Sequence, residues 1–470
     1  MKRRAFLKRA GATAVAMATR GLGASGSADG RPNILFIMTD QQFADIMSCR
    51  MGRRYIHTPA MDSLAARGML FTRAYTANPL CMPARASIFS GYYPHQTGVQ
   101  VNGRHDLDVE GLAAMGTYFK RAGYDTGYVG KWHLCYSPRK VEEHGFDMTA
   151  VLRNNGHDDE MPAPAAAFIK AQRERPFLLV VSFSNPHDMC QLARGEKLPS
   201  GGIGKPPAVG QRPPLLENAE PPENETDTMT LMRESYQNSR MFPVGDYDED
   251  EWRRLIWGYH RLTEKVDALI GKVLGALRES GKVDDTVVVF TSDHGDCHGA
   301  HRWNQKTVFY EESARVPLIV SDGRRGAGGT TDRLVNTGID ILPTLLDYAG
   351  IERPGALPGR SLRGIVEGRA PGSWRDYVVI QNRMIQGGPV NGETPEVQGR
   401  MVRSDAYKYC IYDRGQRREA LFDMRSDPGE MRNLADEGSH VEHMRRHRSY
   451  LLDHARRHGD KLALEMLEAV

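Results

Sequence analysis

The sequence predicts an α/β fold in which a large, mostly parallel β-sheet is flanked by helices and followed by a smaller C-terminal antiparallel sheet with a helix. Continuous apolar runs that end in polar residues are typical of strands buried on both faces of a parallel sheet. Helix-forming segments alternate with these runs, and after residue 370 the pattern changes to short runs separated by polar turns. We therefore expect a large unit over residues 31–370 and a smaller one over residues 371–470.

Four apolar runs carry polar residues at their carboxyl ends. They cover residues 32–39, 124–130, 177–183 and 286–291, and they lead into Asp40-Gln41, Lys131-Trp132-His133, Asn185-Pro186-His187 and Asp293-His294. Ligands of open α/β sheets bind outside the carboxyl ends of the strands. If the strands are neighbours, these polar groups converge on one crevice.

Two segments have the features of helices. Thr58 and Pro59 form a normal helix start, with a cap residue and a proline in the first turn. From Trp252 to about Leu277, apolar residues recur at three- to four-residue spacing, which predicts one apolar face. The acidic cluster over residues 246–251 suits the positive end of this second helix. We interpret the second helix as structural.

The segment from Gln191 to Asp250 is rich in Pro, Gly, Glu and Asn and has no clear hydrophobic period. Long irregular segments of this kind are usually functional or disordered. Because it directly follows His187, it is a candidate lid that selects the substrate. A solvated surface excursion is the alternative, and the sequence leaves both open.

The C-terminal part has four short runs that predict a small antiparallel sheet. They cover residues 377–380, 399–403, 407–412 and 420–423, and an Arg-rich and His-rich helical tail follows them.

The N-terminus predicts export. The formal net charge of +3 depends on the first 28 residues, which contain six basic groups and no acidic ones, so the charge gives no indication of nucleic-acid binding. Lys2-Arg3-Arg4 precedes a weakly apolar Ala/Gly run and small residues that end near Ala28, which is typical of a bacterial twin-arginine signal over residues 1–28. The apolar run is far shorter than the ~20 residues that span a bilayer, so we expect no stable membrane span. The predicted location is the periplasm or the exterior.

Six cysteines are too few and too scattered for a disulfide scaffold or a zinc cluster. Cys135, Cys190 and Cys297 follow candidate site motifs, and a disulfide between two of them stays open.

Cys81-Met82-Pro83-Ala84-Arg85 is the stretch around which the chain is organised. A buried structural cysteine in a turn is the alternative interpretation, since free cysteine behaves as a small hydrophobe. The Cys-x-Pro-x-Arg spacing, continuing to Gly91, resembles the nucleophile signature of the type I sulfatases, which have an alkaline phosphatase-like fold. Residues 339–344, 357–362 and 421–435 resemble further landmarks of that family, so the resemblance covers residue 32 to about residue 435 and makes residues 31–370 the catalytic domain.

The resemblance implies that Cys81 does not act as a thiol. In this family a formylglycine-generating enzyme oxidises the cysteine to formylglycine, whose aldehyde hydrate supplies the attacking hydroxyl. The twin-arginine machinery carries folded proteins, so this modification would precede export. The implied reaction is hydrolysis of a sulfuric ester with release of inorganic sulfate through a covalent sulfo-formylglycine intermediate.

The resemblance also implies a divalent-metal site, formed by Asp40, Gln41, Asp293 and His294. Carboxylate and amide oxygens suit Ca²⁺, whereas the nitrogen ligand at His294 leaves Mg²⁺ or Mn²⁺ open. The family commonly has aspartate where Gln41 stands, and this loss of one negative charge is expected to weaken metal binding.

The remaining site residues implied by the resemblance surround the sulfate. Arg85 would orient the nucleophile with Lys131 close by, and His133 would act as the base that helps to expel sulfate from the enzyme. His187 and Lys306 would contact the sulfate and donate a proton to the leaving group. The roles of His298 and His301 stay open.

A sulfated carbohydrate is the favoured substrate, because the chain is predicted to be exported and has a second unit and a long segment after His187. A phosphonate monoester or phosphodiester hydrolase of the same fold is one alternative. A catalytically silent polysaccharide-binding relative is another. A zinc phosphatase is disfavoured, because its nucleophile is Ser or Thr and its usual histidine ligands are missing.

Overall fold

The structure is a computed structural model that describes residues 30–103, 113–152, 157–325, 328–369 and 372–470. The predicted signal over residues 1–28 lies outside the described residues, and so do residues 370 and 371, where the boundary between the two units is predicted.

The described strands are β1 (Asn33–Asp40), β2 (Met69–Phe71), β3 (Ala74–Tyr75), β4 (Asp125–Lys131), β5 (Met148–Leu152), β6 (Phe177–Pro186), β7 (Thr286–Ser292), β8 (Leu318–Asp322), β9 (Gly329–Thr331), β10 (Val335–Asn336), β11 (Tyr377–Met384), β12 (Val397–Ser404), β13 (Tyr407–Tyr412) and β14 (Glu419–Asp423). The described α-helices are α1 (Ser48–Met51), α2 (Pro59–Arg67), α3 (Cys81–Ser90), α4 (Pro94–Thr97), α5 (Met115–Arg121), α6 (Val141–His144), α7 (Pro162–Lys170), α8 (Met189–Ala193), α9 (Asp227–Gln237), α10 (Glu249–Glu279), α11 (Glu311–Ala314), α12 (Thr337–Tyr348), α13 (Arg363–Val366), α14 (Val441–His458) and α15 (Lys461–Glu468).

The large sheet has eight strands in the order β5-β4-β6-β1-β7-β8-β2-β9. All pairings are parallel except those of β8, which runs antiparallel to β7 and β2. Side chains of β1 point alternately into two hydrophobic cores, with Phe36 and Met38 on the face of α3 and α12 and Leu35 and Ile37 on the face of α2, α7 and α10. Because both faces of the strands are buried, their sequences are continuous apolar runs. The predicted fold class is confirmed.

The second sheet is antiparallel and has the order β11-β12-β13-β14. One face packs on α14 and α15 through Val379, Val402 and Ile411. The other face, which includes Ile380 and Met401, packs in one cluster with residues of the large unit. The predicted antiparallel sheet with a helix is therefore confirmed.

Helix α10 confirms the predicted amphipathic helix and begins in a capping box formed by Asp248 and Glu251. The prediction of an irregular segment from Gln191 to Asp250 is wrong in one part, because the segment contains α9. The Thr226 side chain caps α9, and Met229, Met232 and Tyr236 are buried along one side. So few apolar residues do not produce a recognisable helical period in a segment that is otherwise polar.

All six cysteines are free, so the disulfide left open by the sequence does not form in this structure. Among the described helices, none combines the length and apolar character needed to cross a membrane.

Candidate active site

The candidate active site lies where four neighbouring strands of the large sheet end. β4, β6, β1 and β7 are adjacent, so Lys131, His187, Asp40 and Asp293 are brought to the same edge of the sheet. The predicted convergence is confirmed, because parallel neighbours place their carboxyl ends side by side.

Cys81 is the first residue of α3 and is almost completely buried at this edge. Its Sγ lies 3.1 Å from His294 Nε2, 3.2 Å from Lys306 Nζ and 3.7 Å from Asp40 Oδ1. Burial and Asp40 oppose ionisation, but Lys306, His294 and Lys131 outweigh them and hold the pKa of the Cys81 thiol well below its usual value. The surroundings of residue 81 therefore stabilise a negatively charged atom.

Arg85 lies one helical turn after Cys81 and ties the two acidic strand ends together. Its Nε donates to Asp293 at 2.7 Å and its terminal nitrogens donate to Asp40 at 3.1 Å and to Ser182 Oγ at 2.9 Å. All the charged groups of this bridge are fully buried. Arg85 therefore fixes the spacing of the two carboxylates that lie near residue 81.

The predicted metal ligands fit a divalent cation. Ligand atoms of Asp40, Cys81, Asp293 and His294 all lie within 4.8 Å of one another. His294 Nδ1 is 2.8 Å from the Gly295 carbonyl oxygen, which leaves Nε2 facing the cluster. The carboxylates are the oxygen ligands that hard cations prefer.

Gln41 joins the cluster through a left-handed backbone conformation with φ 68°. Its amide oxygen accepts from Lys306 Nζ at 2.6 Å, and its amide nitrogen donates to Asp296 at 2.6 Å. Gln41 therefore presents one oxygen to the site, and its orientation is fixed by Asp296, which the sequence analysis missed.

The two carboxylates differ in their electrostatics. Burial disfavours the charged form of Asp40, but Lys131, His187 and Arg85 outweigh it and hold the pKa of Asp40 well below its usual value. Burial raises the pKa of Asp293 to about 6, and the adjacent Asp40 acts in the same direction. Lys131 Nζ lies 2.7 Å from an Asp40 carboxylate oxygen, and Lys306 Nζ lies 3.2 Å from Cys81 Sγ. The site therefore contains two lysine side chains whose positive charge favours an anion.

The two candidate histidines are half-buried. Burial, together with Lys131 and Lys306, lowers the pKa of His187 to about 3, so the imidazole is neutral in this arrangement. The Nδ1 atoms of His187 and His133 have no hydrogen-bond partner among the described residues. His133 follows Lys131 by two residues, but no described contact joins its side chain to Cys81.

Lys306 stands on a loop whose backbone is unusual. Positive φ angles occur in this loop at His298, His301, Gln305 and Thr307. Residues other than glycine rarely adopt this backbone conformation, and such residues cluster at functional sites. Two residues of the C-terminal sheet hold this loop. Asn382 Nδ2 donates to the Thr307 carbonyl at 2.7 Å, and Lys408 Nζ donates to the Phe309 carbonyl at 2.9 Å.

His298 and His301 are buried by neighbouring aromatic rings. His298 stacks on Phe43 with ring centroids 4.4 Å apart, and His301 stacks on Tyr310 at 3.8 Å. Both help to pack the loop that carries Lys306.

Comparison with known proteins agrees with this geometry. The family profile described as "Sulfatase" matches residues 32–351, and a profile described as "N-sulphoglucosamine sulphohydrolase, C-terminal" matches residues 299–457. The class that fold and comparisons define is that of sulfuric ester hydrolases, and the site has a buried cysteine beside a possible divalent-metal cluster. The chain belongs to the sulfatase family.

Three relatives illustrate the similarity. A Delta 4,5-hexuronate-2-O-sulfatase from Bacteroides thetaiotaomicron is 30% identical over 93% of this chain and 92% of its own length. The structure of a 2-O GAG sulfatase has a TM-score of 0.79 and 29% identity, covering 92% of this chain and 93% of that one. A phosphonate monoester hydrolase from Agrobacterium radiobacter shares the fold, with a TM-score of 0.72 and 23% identity over 91% of this chain and 96% of that one.

Removing divalent metal is expected to abolish turnover and lower the melting temperature. A ligand that binds only the native state at 100 times its Kd stabilises that state by about 2.7 kcal/mol. Melting curves and activity should be recorded after exhaustive chelation and again after addition of Ca²⁺, Mg²⁺ or Mn²⁺.

Asp293→Asn should lose the response to added metal. Asp460→Asn, which alters a buried aspartate paired with Arg400 away from the site, should keep the response. Full activity after verified metal removal would contradict the metal assignment.

Proposed function

We propose that this sulfatase removes sulfate from a sulfated carbohydrate after export, using formylglycine formed from Cys81 and a divalent cation, with Ca²⁺ favoured. The observation that carries the proposal is the buried strand-end cluster, in which the nucleophile position, two carboxylates and three cationic side chains converge.

The nucleophile position supports the formylglycine proposal. The hydrate of the aldehyde supplies an attacking hydroxyl, and the cationic surroundings that favour an ionised group at residue 81 would favour its deprotonation. Arg85 holds residue 81 and both carboxylates in register through α3 and its two ion pairs. The formylglycine-generating enzyme is the maturation partner that this proposal requires.

The metal site would be formed by Asp40, Gln41, Asp293 and His294. A bound cation would supply positive charge beside residue 81. The oxygens of Asp40, Gln41 and Asp293 favour Ca²⁺, and the nitrogen of His294 keeps Mg²⁺ and Mn²⁺ as alternatives.

Positive side chains are arranged for the sulfuryl oxygens. Lys131 and Lys306 flank the nucleophile position and would bind the sulfate, which offsets the repulsion of the sulfuryl oxygens toward an incoming nucleophile. A bound anion would also reduce the effect of both lysines on His187 and raise its pKa, which suits the proposed role of His187 and Lys306 as proton donors to the leaving oxygen. His133 is proposed as the base that deprotonates the hydroxyl at residue 81 when sulfate leaves.

A carbohydrate substrate is supported by the hexuronate-2-O-sulfatase relative, which aligns over nearly the whole chain. The segment from Gln191 to Asp250 supports it as well. Cys190, the residue before this segment, lies beside the site, with its Sγ 3.5 Å from the Gln41 amide nitrogen. The segment therefore begins close to the site, which supports the proposal that it selects among substrates.

A panel of defined sulfated mono- and disaccharides with varied sulfate position tests the proposal. We expect turnover of one linkage to exceed that of phosphate diesters and phosphonate monoesters by at least about 100-fold in kcat/KM, equivalent to about 2.7 kcal/mol. Higher turnover of phosphonates would instead favour the hydrolase alternative. Binding without turnover of any ester, with the thiol of Cys81 intact in protein from its host, would favour the silent relative.

A further inference from the structure

Two adjoining cavities lie along α14 and have volumes of about 750 and 600 Å³. Trp374, Arg375, Asp376 and Tyr450 line both, so they form one groove, called here the arginine groove. Residues from His443 to His458 of α14 border it, a span of roughly 22 Å at the helical rise. The groove is long enough for several linked sugar rings.

The groove carries excess positive charge. Seven arginines and four aspartates line it, a net of three positive charges. Some of these arginines are neutralised, since Arg375 pairs with the buried Asp340 and Arg73 pairs with Asp332 and Asp405. Among the described residues, no acidic group pairs with Arg333, Arg360 or Arg446. These three guanidinium groups are the ones available to an anion.

Two of the available arginines lie against aromatic rings. Arg446 donates to the Tyr450 hydroxyl at 2.7 Å and has its guanidinium carbon 5.3 Å from the Tyr450 ring centroid. The guanidinium carbon of Arg360 is 5.6 Å from the Trp374 ring centroid. The rings hold the guanidinium planes while leaving donors for a sulfate, whose oxygens match the guanidinium fork.

The arginine groove is separate from the candidate active site. α3 begins at Cys81 and ends at Ser90, and Tyr93, which lines the groove, follows its far end. A ten-residue helix is about 15 Å long, so a single sugar cannot contact both places.

We propose that the arginine groove is an accessory site that binds a sulfated polysaccharide chain. The guanidinium groups of Arg333, Arg360 and Arg446 bind sulfate groups, and the rings of Trp374 and Tyr450 support the guanidinium groups of Arg360 and Arg446. The groove keeps the polymer on the protein while the active site acts on sulfate groups elsewhere on the chain.

The test measures binding by a variant that has no turnover. A failure of the groove proposal can therefore be distinguished from a failure of the proposed reaction. Full-length protein with Cys81→Ala is titrated by calorimetry with dextran sulfate, with neutral dextran and with polyphosphate. Dextran sulfate should bind, and dextran should not. The double variant Arg360→Ala/Arg446→Ala should bind dextran sulfate at least about tenfold more weakly, because two charge-assisted contacts are lost.

The matched control is Arg445→Ala on the same helix. Arg445 is exposed, is paired with Glu442 and does not line the groove. Its loss removes one positive charge, half of what the double variant removes, and should change the Kd by less than about twofold, the effect expected of exposed charges. With Cys81 restored, the double variant should keep its kcat/KM on a small sulfate ester and lose it on sulfated polymer.

Three results would overturn the proposal. They are absence of dextran sulfate binding, equal weakening by Arg445→Ala, and binding of polyphosphate as tight as that of dextran sulfate. The last two would show a response to net charge alone.

Discussion

Cys81→Ala is expected to lose at least about 10⁴-fold in kcat on any sulfate ester, because removal of the nucleophile removes the covalent route. The variant should fold normally, since alanine fits the start of α3 and removes no charge from the buried cluster of Asp40, Asp293 and Arg85. Activity and melting temperature should be measured on the same preparation.

Cys410→Ala serves as the control, because Cys410 is a buried cysteine in β13 of the C-terminal sheet. It should retain activity. Peptide mass analysis of active protein from its host should show an aldehyde at residue 81. A fully active preparation with an intact thiol there would refute the formylglycine assignment.

Arg85→Met is expected to destabilise the protein by about 3–5 kcal/mol, because it leaves two buried carboxylates without the cation that pairs with both. The loss of Arg85 also frees Asp40 and Asp293 to separate, so kcat should fall together with stability. Denaturant unfolding and initial rates below the unfolding transition measure the two effects.

Arg400→Met separates the structural and catalytic parts of this effect. Arg400 is equally buried and donates two hydrogen bonds to Asp460, at 2.6 and 2.8 Å, far along the chain from the site residues. It should lose similar stability while the remaining folded protein keeps its kcat. Equal losses of kcat in the two variants would show that Arg85 has no particular part in the site.

The strand-end residues could be predicted from sequence because the physics is local. An apolar run predicts a buried strand. Neighbouring parallel strands bring the residues at their carboxyl ends together regardless of the conformation of the connecting loops, and these residues are Asp40, Lys131, His187 and Asp293. The resemblance to sulfatases added Cys81, Arg85 and Lys306, which no periodicity indicates. The structure brings all of these together.

The sequence could not show what depends on unusual backbone or on distant contacts. Asp296 accepts from Gln41, which has a left-handed backbone, across 255 positions of the chain, and Ser182 accepts from Arg85 across 97 positions. Helix α9 was missed because its apolar residues are few. The role of His133 and the boundary between the two units stay predictions.

The two hydrogen bonds that Asn382 and Lys408 donate to the loop of Lys306 have a consequence for biosynthesis. A ribosome releases the C-terminal sheet after Cys81, all proposed metal ligands and both site histidines. Until β11 and β13 emerge and dock, a loop with many left-handed residues lacks the contacts that hold Lys306 beside the nucleophile. A nascent or truncated chain ending before residue 382 would thus contain nearly every chemical group of the site and remain inactive, so the enzyme would acquire its activity only after β11 and β13 have been synthesised.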